Sequence, residues 1–245
     1  MGRELSINCF VSLGSKRSYM DSLQIICKRL FDIILAALGL VVLSPAILLV
    51  ILILQVSSRG PLFFLQPRVG REGRIFDVVK LRTMIVGGEQ NGSITTASDA
   101  RVTSIGRWIR RFKLDEYPQL WNVLVGNMSL VGPRPDVPGY ADQLMGRARS
   151  ILSLRPGITG LATLYFRHEE EILDRATDAK SCNDQVIYPA KVALNLMYLE
   201  KWSFFRDIGY IMITIIPSLD HYFKLVPNVD IDTLALQGIN ACREQ

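Results

Sequence analysis

The chain is poor in the residues that small-molecule chemistry most often uses. Only two histidines occur in 245 residues, and neither stands in an HExxH spacing. The four cysteines (Cys9, Cys27, Cys182, Cys242) are scattered with no CxxC pair, so neither a disulfide framework nor a zinc site is indicated. There is no phosphate-binding P-loop, no GxGxxG after a strand and no GxSxG elbow. Residues 1–21 lack the compact apolar stretch and small-residue cleavage site of a secretory signal, and read as a polar N-terminal extension. No internal repeat or low-complexity tract appears.

Apolar residue and positive charge are plentiful instead. The hydrophobic fraction is 49% and the formal charge +5, with a mean hydropathy of +0.23 and a pI of about 9.1. Such a balance suits an anionic partner: phospholipid headgroups, nucleic acid or a phosphorylated substrate. With no nucleic-acid motif, and with the basic residues clustered beside membrane-like segments, nucleic acid is not expected.

From Ile33 to Leu54 the chain carries no charge at all. By length alone this is a transmembrane anchor. Two features point instead to a helix that enters one leaflet and returns. Ser44-Pro45 lies near the middle, where proline deletes a backbone donor. Both flanks are also basic: Lys28 and Arg29 before the stretch, then Arg59, Arg68, Arg71 and Arg74 after it. Asp32 fits a headgroup-level position.

Beyond Gly60-Pro61, residues 63–83 read as two extended segments joined at Gly70-Arg-Glu-Gly73, with glycines supplying positive φ. Residues 85–99 read as a polar loop. Thr103 to Phe112 has helical spacing, with Ile105, Trp108, Ile109 and Phe112 on one side. It is either an ordinary core-packing helix or one lying at the membrane surface. Segment 207–219 is too short to span and has the same two readings. His168, ahead of Glu169, Glu170 and Glu171, reads as a charged helix start, and His221 stands alone.

The densest chemistry lies in RRFKLDEYPQLWNVLVGNMSLVGPRP, residues 110–135, where Asp115 and Glu116 sit between basic residues and a rigid Gly-Pro-Arg-Pro turn. Together with KRLFDIILA, the Ser44-Pro45 break, GPLFFLQPRVGREGRIFDVVKLRTM and LRPGITGLA, it forms a series collinear from Lys28 to about Phe223. In this the chain resembles the bacterial sugar transferases, in particular the small monotopic polyprenyl-phosphate phosphoglycosyl transferases. The resemblance implies transfer of a sugar-1-phosphate from a UDP-sugar to undecaprenyl phosphate, with UMP leaving, at the start of glycan assembly. It implies Asp115 as the nucleophile of a covalent phosphosugar-enzyme and Glu116 as the ligand of Mg²⁺. Lys80, Arg82, Arg110 and Arg134 match basic family positions and are implied to bind substrate phosphates. Headgroup or solvent contact is the alternative for Lys80, Arg82 and Arg110, and an incidental arginine on a rigid turn for Arg134.

The charges agree with those roles. A carboxylate that attacks a diphosphate needs neutralising cations, and Mg²⁺ takes one or two carboxylates plus phosphate oxygens. Three positions depart from the commonest family pattern: TLYFRHEE after Gly160, Asn127 and Asn195.

The expected fold is mainly helical α+β. It comprises a polar extension (1–21), a Pro-broken re-entrant membrane helix (22–59), a catalytic domain (60–224) with a small β-hairpin and surface-lying amphipathic helices, and a C-terminal tail (225–245). The expected location is the bacterial inner membrane, catalytic domain toward the cytosol, against anionic phospholipid; a homodimer is left open. The competing reading is a membrane-anchored, non-catalytic scaffold for anionic lipid or polyanions.

Overall fold

A computed structural model describes residues 22–57, 60–88 and 99–243. The expected extension 1–21 and most of the expected loop 85–99 lie outside these residues. The expected mainly helical α+β architecture is what the chain adopts.

Helix α1, Ser22–Ser57, is one element with Pro45 inside it. Helical hydrogen bonding continues through Ser44-Pro45, and the local chemistry explains how. Proline cannot donate to the carbonyl four residues back, that of Val41. The Ser44 hydroxyl donates to that carbonyl oxygen instead, at 2.8 Å. Leu23–Ser57 is long and apolar enough to cross a membrane, and most of it is exposed.

The inner face of α1 packs against the rest of the protein on both sides of the proline. Ala36 is buried with Val78, Val123 and Met128, and Val50 and Leu54 with Leu81 and Ile109. Asp32, expected near headgroup level, is held inside the protein. Asp32 is 2% exposed, accepts from the Ser129 hydroxyl at 2.7 Å and the Leu130 amide at 3.2 Å, and lies 3.9 Å from Lys28. A buried carboxylate needs such partners, and residues 129–130 supply them only in the folded chain.

Strands β1 (Phe63–Val69) and β2 (Ile75–Leu81) form the antiparallel hairpin anticipated above. Positive φ falls on Glu72 and Gly73 rather than on both glycines. Helix α2 (Ser104–Arg111) starts at Thr103, whose hydroxyl accepts from the Gly106 amide at 2.9 Å. Its apolar stripe divides: Ile109 is in the core, while Trp108 and Phe112 are more than half exposed. Helix α3 (Gln119–Val125) is clamped to β2 by Asn122, which accepts from Val79 N at 3.1 Å and donates to Asp77 O at 2.8 Å.

Strands β3 (Ser129–Val131) and β4 (Gly157–Thr159) pair in parallel. Their approach is closed to any residue with a side chain at key positions. A Cβ on Gly157 would lie 2.1 Å from Gly132 N, and one on Gly132 would lie 2.4 Å from Arg155 O. The Gly-Pro-Arg-Pro turn is thereby pinned to the Arg-Pro-Gly-Ile-Thr-Gly segment.

The remaining helices are α4 (Leu161–Tyr165), α5 (Glu169–Arg175), α6 (Ala179–Cys182), α7 (Tyr188–Glu200), α8 (Phe204–Ile215), α9 (Asp220–Phe223) and α10 (Ile231–Arg243). They assemble around a core that includes Leu194, Tyr198, Tyr210, Ile213 and Leu234. The segment expected as a C-terminal tail therefore includes a docked helix. Asp207 of α8, 1% exposed, accepts from Lys28 Nζ at 2.6 Å, Tyr198 Oη at 2.8 Å and Trp202 Nε1 at 3.1 Å. This charge cluster ties the start of α1 to the C-terminal helices.

Candidate functional site

The acidic pair lies on a 3₁₀ turn, Leu114–Glu116, between α2 and α3. Lys113 enters that turn in the left-handed region, at φ 55°. Three residues per turn point consecutive side chains about 120° apart, so Asp115 and Glu116 meet different neighbours. Asp115 is buried, 9% exposed, and among the described residues its Oδ1 has no hydrogen-bond partner. Burial, then the Glu116 charge, push its carboxyl above the usual range, opposed by Lys80, Arg110 and Lys113.

Glu116 is held differently. Arg134 Nη2 donates to its Oε1 at 2.5 Å and Nη1 approaches Oε2 at 3.5 Å. Burial alone would raise its carboxyl, but the Arg134 and Lys80 charges outweigh it and hold the group at about 2. The Arg134 guanidinium is correspondingly pushed up by Glu116. Glu116 is therefore ionised at any physiological pH.

Lys80 comes from β2 and Arg68 from the facing strand β1. Burial and the Arg68 charge lower the Lys80 ammonium to about 8. Burial and the Arg134 charge lower Arg68 to about 10. Arg68 also holds the Gly-Pro-Arg-Pro turn: its Nη1 donates to Pro135 O at 2.9 Å, and Val69 N donates to Asp136 O at 2.8 Å. Lys80, Arg68 and Arg134 thus repel one another around two carboxylates. Such a cluster binds an anionic ligand with relief of internal strain.

Arg110 reaches the same region from α2. Its Nε donates to Thr83 Oγ1 at 2.8 Å, and its Nη1 lies 3.9 Å from Glu170. The structure therefore brings Lys80, Arg110 and Arg134 together with Asp115 and Glu116. Arg82 is placed beside Gly60, where a Cβ would come within 2.4 Å of its Nη1. Ser44 and Pro45 lie in α1 and serve the helix.

Several site groups were not singled out by spacing. Arg68 was visible only as a basic flank of the apolar stretch. Asp136 carries a carboxyl raised to about 6 by burial, against the pull of Lys191 and Arg68. Lys191 of α7 pairs with Glu169 at 2.7 Å, which puts the charged start of α5 at the edge of the site. His168 is exposed, with Nδ1 3.1 Å from Glu171 Oε1, as a helix start should be. A cavity of about 30 Å³ behind Arg134 is lined by Asp136, Tyr188 and Asn195. It has room for a water, a natural partner for the buried Tyr188 hydroxyl, which has none among the described residues. Among the described residues no three His, Cys, Asp or Glu side chains form a metal-binding group. A cation here would have to complete its shell with substrate oxygens and water.

A family model described as bacterial sugar transferase matches residues 23–221. The chain is 41% identical over 196 residues to an undecaprenyl-phosphate glucose phosphotransferase of Komagataeibacter xylinus, covering 77% of this chain and 35% of that protein. It is 33% identical over 203 residues to a UDP-glucose:undecaprenyl-phosphate glucose-1-phosphate transferase of Klebsiella pneumoniae, covering 81% and 41%. The chain thus spans well under half the length of these two relatives. It is also 31% identical over 204 residues to the exopolysaccharide production protein ExoY of Rhizobium meliloti, covering 77% of this chain and 83% of that one. With its acidic pair, basic cluster and glycine-pinned turn in the matched region, the chain belongs to the bacterial sugar transferase family.

Proposed function

We propose that the protein is a phosphoglycosyl transferase that moves a sugar-1-phosphate from a UDP-sugar to undecaprenyl phosphate. UDP-glucose is the first donor to test, because relatives of this chain are named for it. The observation that carries the reading is the buried, unpartnered Asp115 Oδ1 beside the Glu116–Arg134 pair and Lys80. Leaving a carboxylate oxygen buried without a partner is costly, and a reacting phosphorus gives it a purpose.

In the first step an Asp115 oxygen bonds to the sugar-bearing phosphorus, and the bond from that phosphorus to the bridging oxygen of UMP breaks. In the second, a phosphate oxygen of the lipid acceptor attacks the same phosphorus and frees the carboxylate. Dividing the transfer lets two large substrates use one phosphorus in turn. Lys80, Arg68, Arg110 and Arg134 offset the diphosphate charge in both steps. Glu116, ionised and within reach of the same phosphates, suits Mg²⁺, and Asp115 is the other candidate ligand. When bound, the ion would supply Lewis-acid neutralisation of the diphosphate.

A membrane site follows from α1 and from exposed Trp108, Phe112, Trp121 and Phe205. A straight helix of 36 residues would be about 54 Å long and would cross the roughly 30 Å hydrocarbon core. Packing on one body by both arms, through Ala36 and through Val50 and Leu54, favours entry and return on one side. The cytosol is the side on which a UDP-sugar pool is met. A non-catalytic scaffold would account for α1 but not for the unpartnered Asp115.

Purified protein with Mg²⁺ and UDP-glucose should release UMP and acquire a labelled glucose phosphate, and Asp115→Asn should abolish both. Full transfer by that variant would remove Asp115 as nucleophile.

A further inference from the structure

A second concavity lies away from the charged cluster. A groove of about 400 Å³ opens between α1 and α8, within the range of about 300–1,000 Å³ typical of small-molecule sites. Leu38 and Val42 of α1 form one wall, Ile211 and Ile215 of α8 the other, and Leu120 and Ile158 the floor.

Among the described residues none that lines it is charged. Its two hydroxyl residues are already satisfied: Thr159 and Thr214 are bonded to each other at 2.6 Å, and Thr214 also donates to Tyr210 O at 2.7 Å. The groove therefore offers a ligand no unmet donor or acceptor. Nucleotides, sugars and peptides would lose their own hydrogen bonds on entering, whereas hydrocarbon would not. One wall is the apolar helix α1, whose Val42 is 63% exposed, so hydrocarbon can enter directly from a bilayer.

The groove also backs onto the catalytic elements. Leu120 follows Glu116 by four residues, and Leu130, another lining residue, precedes Arg134 by four. Tyr117, next to Glu116, donates through its hydroxyl to Leu40 O of α1 at 2.6 Å. A lipid chain held there is tethered to the turn that carries the acidic pair. Bulk acyl chains have no need of that proximity.

Resting on the transferase reading above, we propose that this groove seats the first isoprene units of the polyprenyl acceptor, setting its phosphate against the phosphosugar-enzyme. Acceptor recognition is then divided: charge on the phosphate side, a dry aliphatic trough on the chain side.

The test fills the groove from its open side. Val42→Trp and Ile211→Trp should raise KM for undecaprenyl phosphate by at least about tenfold at saturating UDP-glucose, equivalent to about 1.4 kcal/mol. UMP release in the absence of acceptor should stay at the wild-type level. Leu48→Trp, on exposed α1 surface outside the groove, should change neither. With an acceptor that lacks the isoprenoid chain, such as methyl phosphate, the gap between Val42→Trp and wild type should close. Val42 is exposed enough for tryptophan to be tolerated, and an unchanged Tm verifies folding. An unchanged acceptor KM in a folded Val42→Trp protein would overturn the assignment in favour of bulk lipid or a second copy of the chain. Failure of the wild type to release UMP would instead remove the catalytic reading, and this inference with it.

Discussion

Replacing Arg134 by methionine keeps much of the side-chain length and removes the charge, leaving Glu116 buried without its closest partner. The Glu116 side chain is only 11% exposed, so solvent screening is slight. Its carboxyl is held at about 2 against an ordinary value of 4.5. At about 1.36 kcal/mol per pH unit, that difference corresponds to about 3 kcal/mol of folding stability at neutral pH. The sign is that of a depressed carboxylate: the contribution is fully present above pH 4.5 and disappears as pH falls toward 2. Burial opposes the shift and Lys80 shares in it, so about 3 kcal/mol is the order of magnitude for Arg134 alone. For a domain of this size, it corresponds to a Tm lower by about 6–12 °C. Thermal unfolding of wild type and Arg134→Met in detergent should therefore diverge at pH 7 and converge as the pH approaches 2. Adding Glu116→Gln should recover most of the loss, because the orphaned charge is gone. A deficit below about 1 kcal/mol at pH 7, or one equal at pH 7 and pH 3, would refute the reasoning.

Three further outcomes follow from other contacts. Because Lys80 titrates near 8, its positive charge is lost as pH rises through that value. KM for UDP-glucose should then climb above pH 8, and Lys80→Arg should flatten that limb of the profile. Lys28→Met should cost about 3–5 kcal/mol by stranding buried Asp207, and Lys28→Met with Asp207→Asn should cost less than Lys28→Met alone; urea unfolding measures both. Ser44→Ala should lose about 1 kcal/mol with Pro45 present. It should lose much less in a Pro45→Ala background, where a backbone amide again serves Val41 O; a penalty of equal size in both would show that the hydroxyl does something else.

Local features of the sequence were read correctly where short-range physics governs them. Two extended segments about a glycine-bounded connection produced the hairpin. An uncharged run produced a long exposed helix, and Glu169–Glu171 began a helix as expected. The pairing of β3 with β4 was not legible. Three-residue strands carry no periodicity, and their register rests on glycines that meet only after folding. Asp32 read as a headgroup-level charge and Lys28 as a basic flank because their hydrogen-bond partners lie far along the chain: Ser129 and Leu130 for Asp32, and Asp207, 179 residues beyond, for Lys28.

Sequence alone determined the family, the acidic pair and the apolar helix, because these rest on residue type and spacing along the chain. The tertiary structure decided which cations surround that pair, that Arg68 belongs among them, and that Asp115 retains an unpartnered oxygen. It also decided that a dry groove lies behind the catalytic turn. Electrostatic field and cavity shape are sums over groups distant in the chain, so they exist only once the backbone has closed around them.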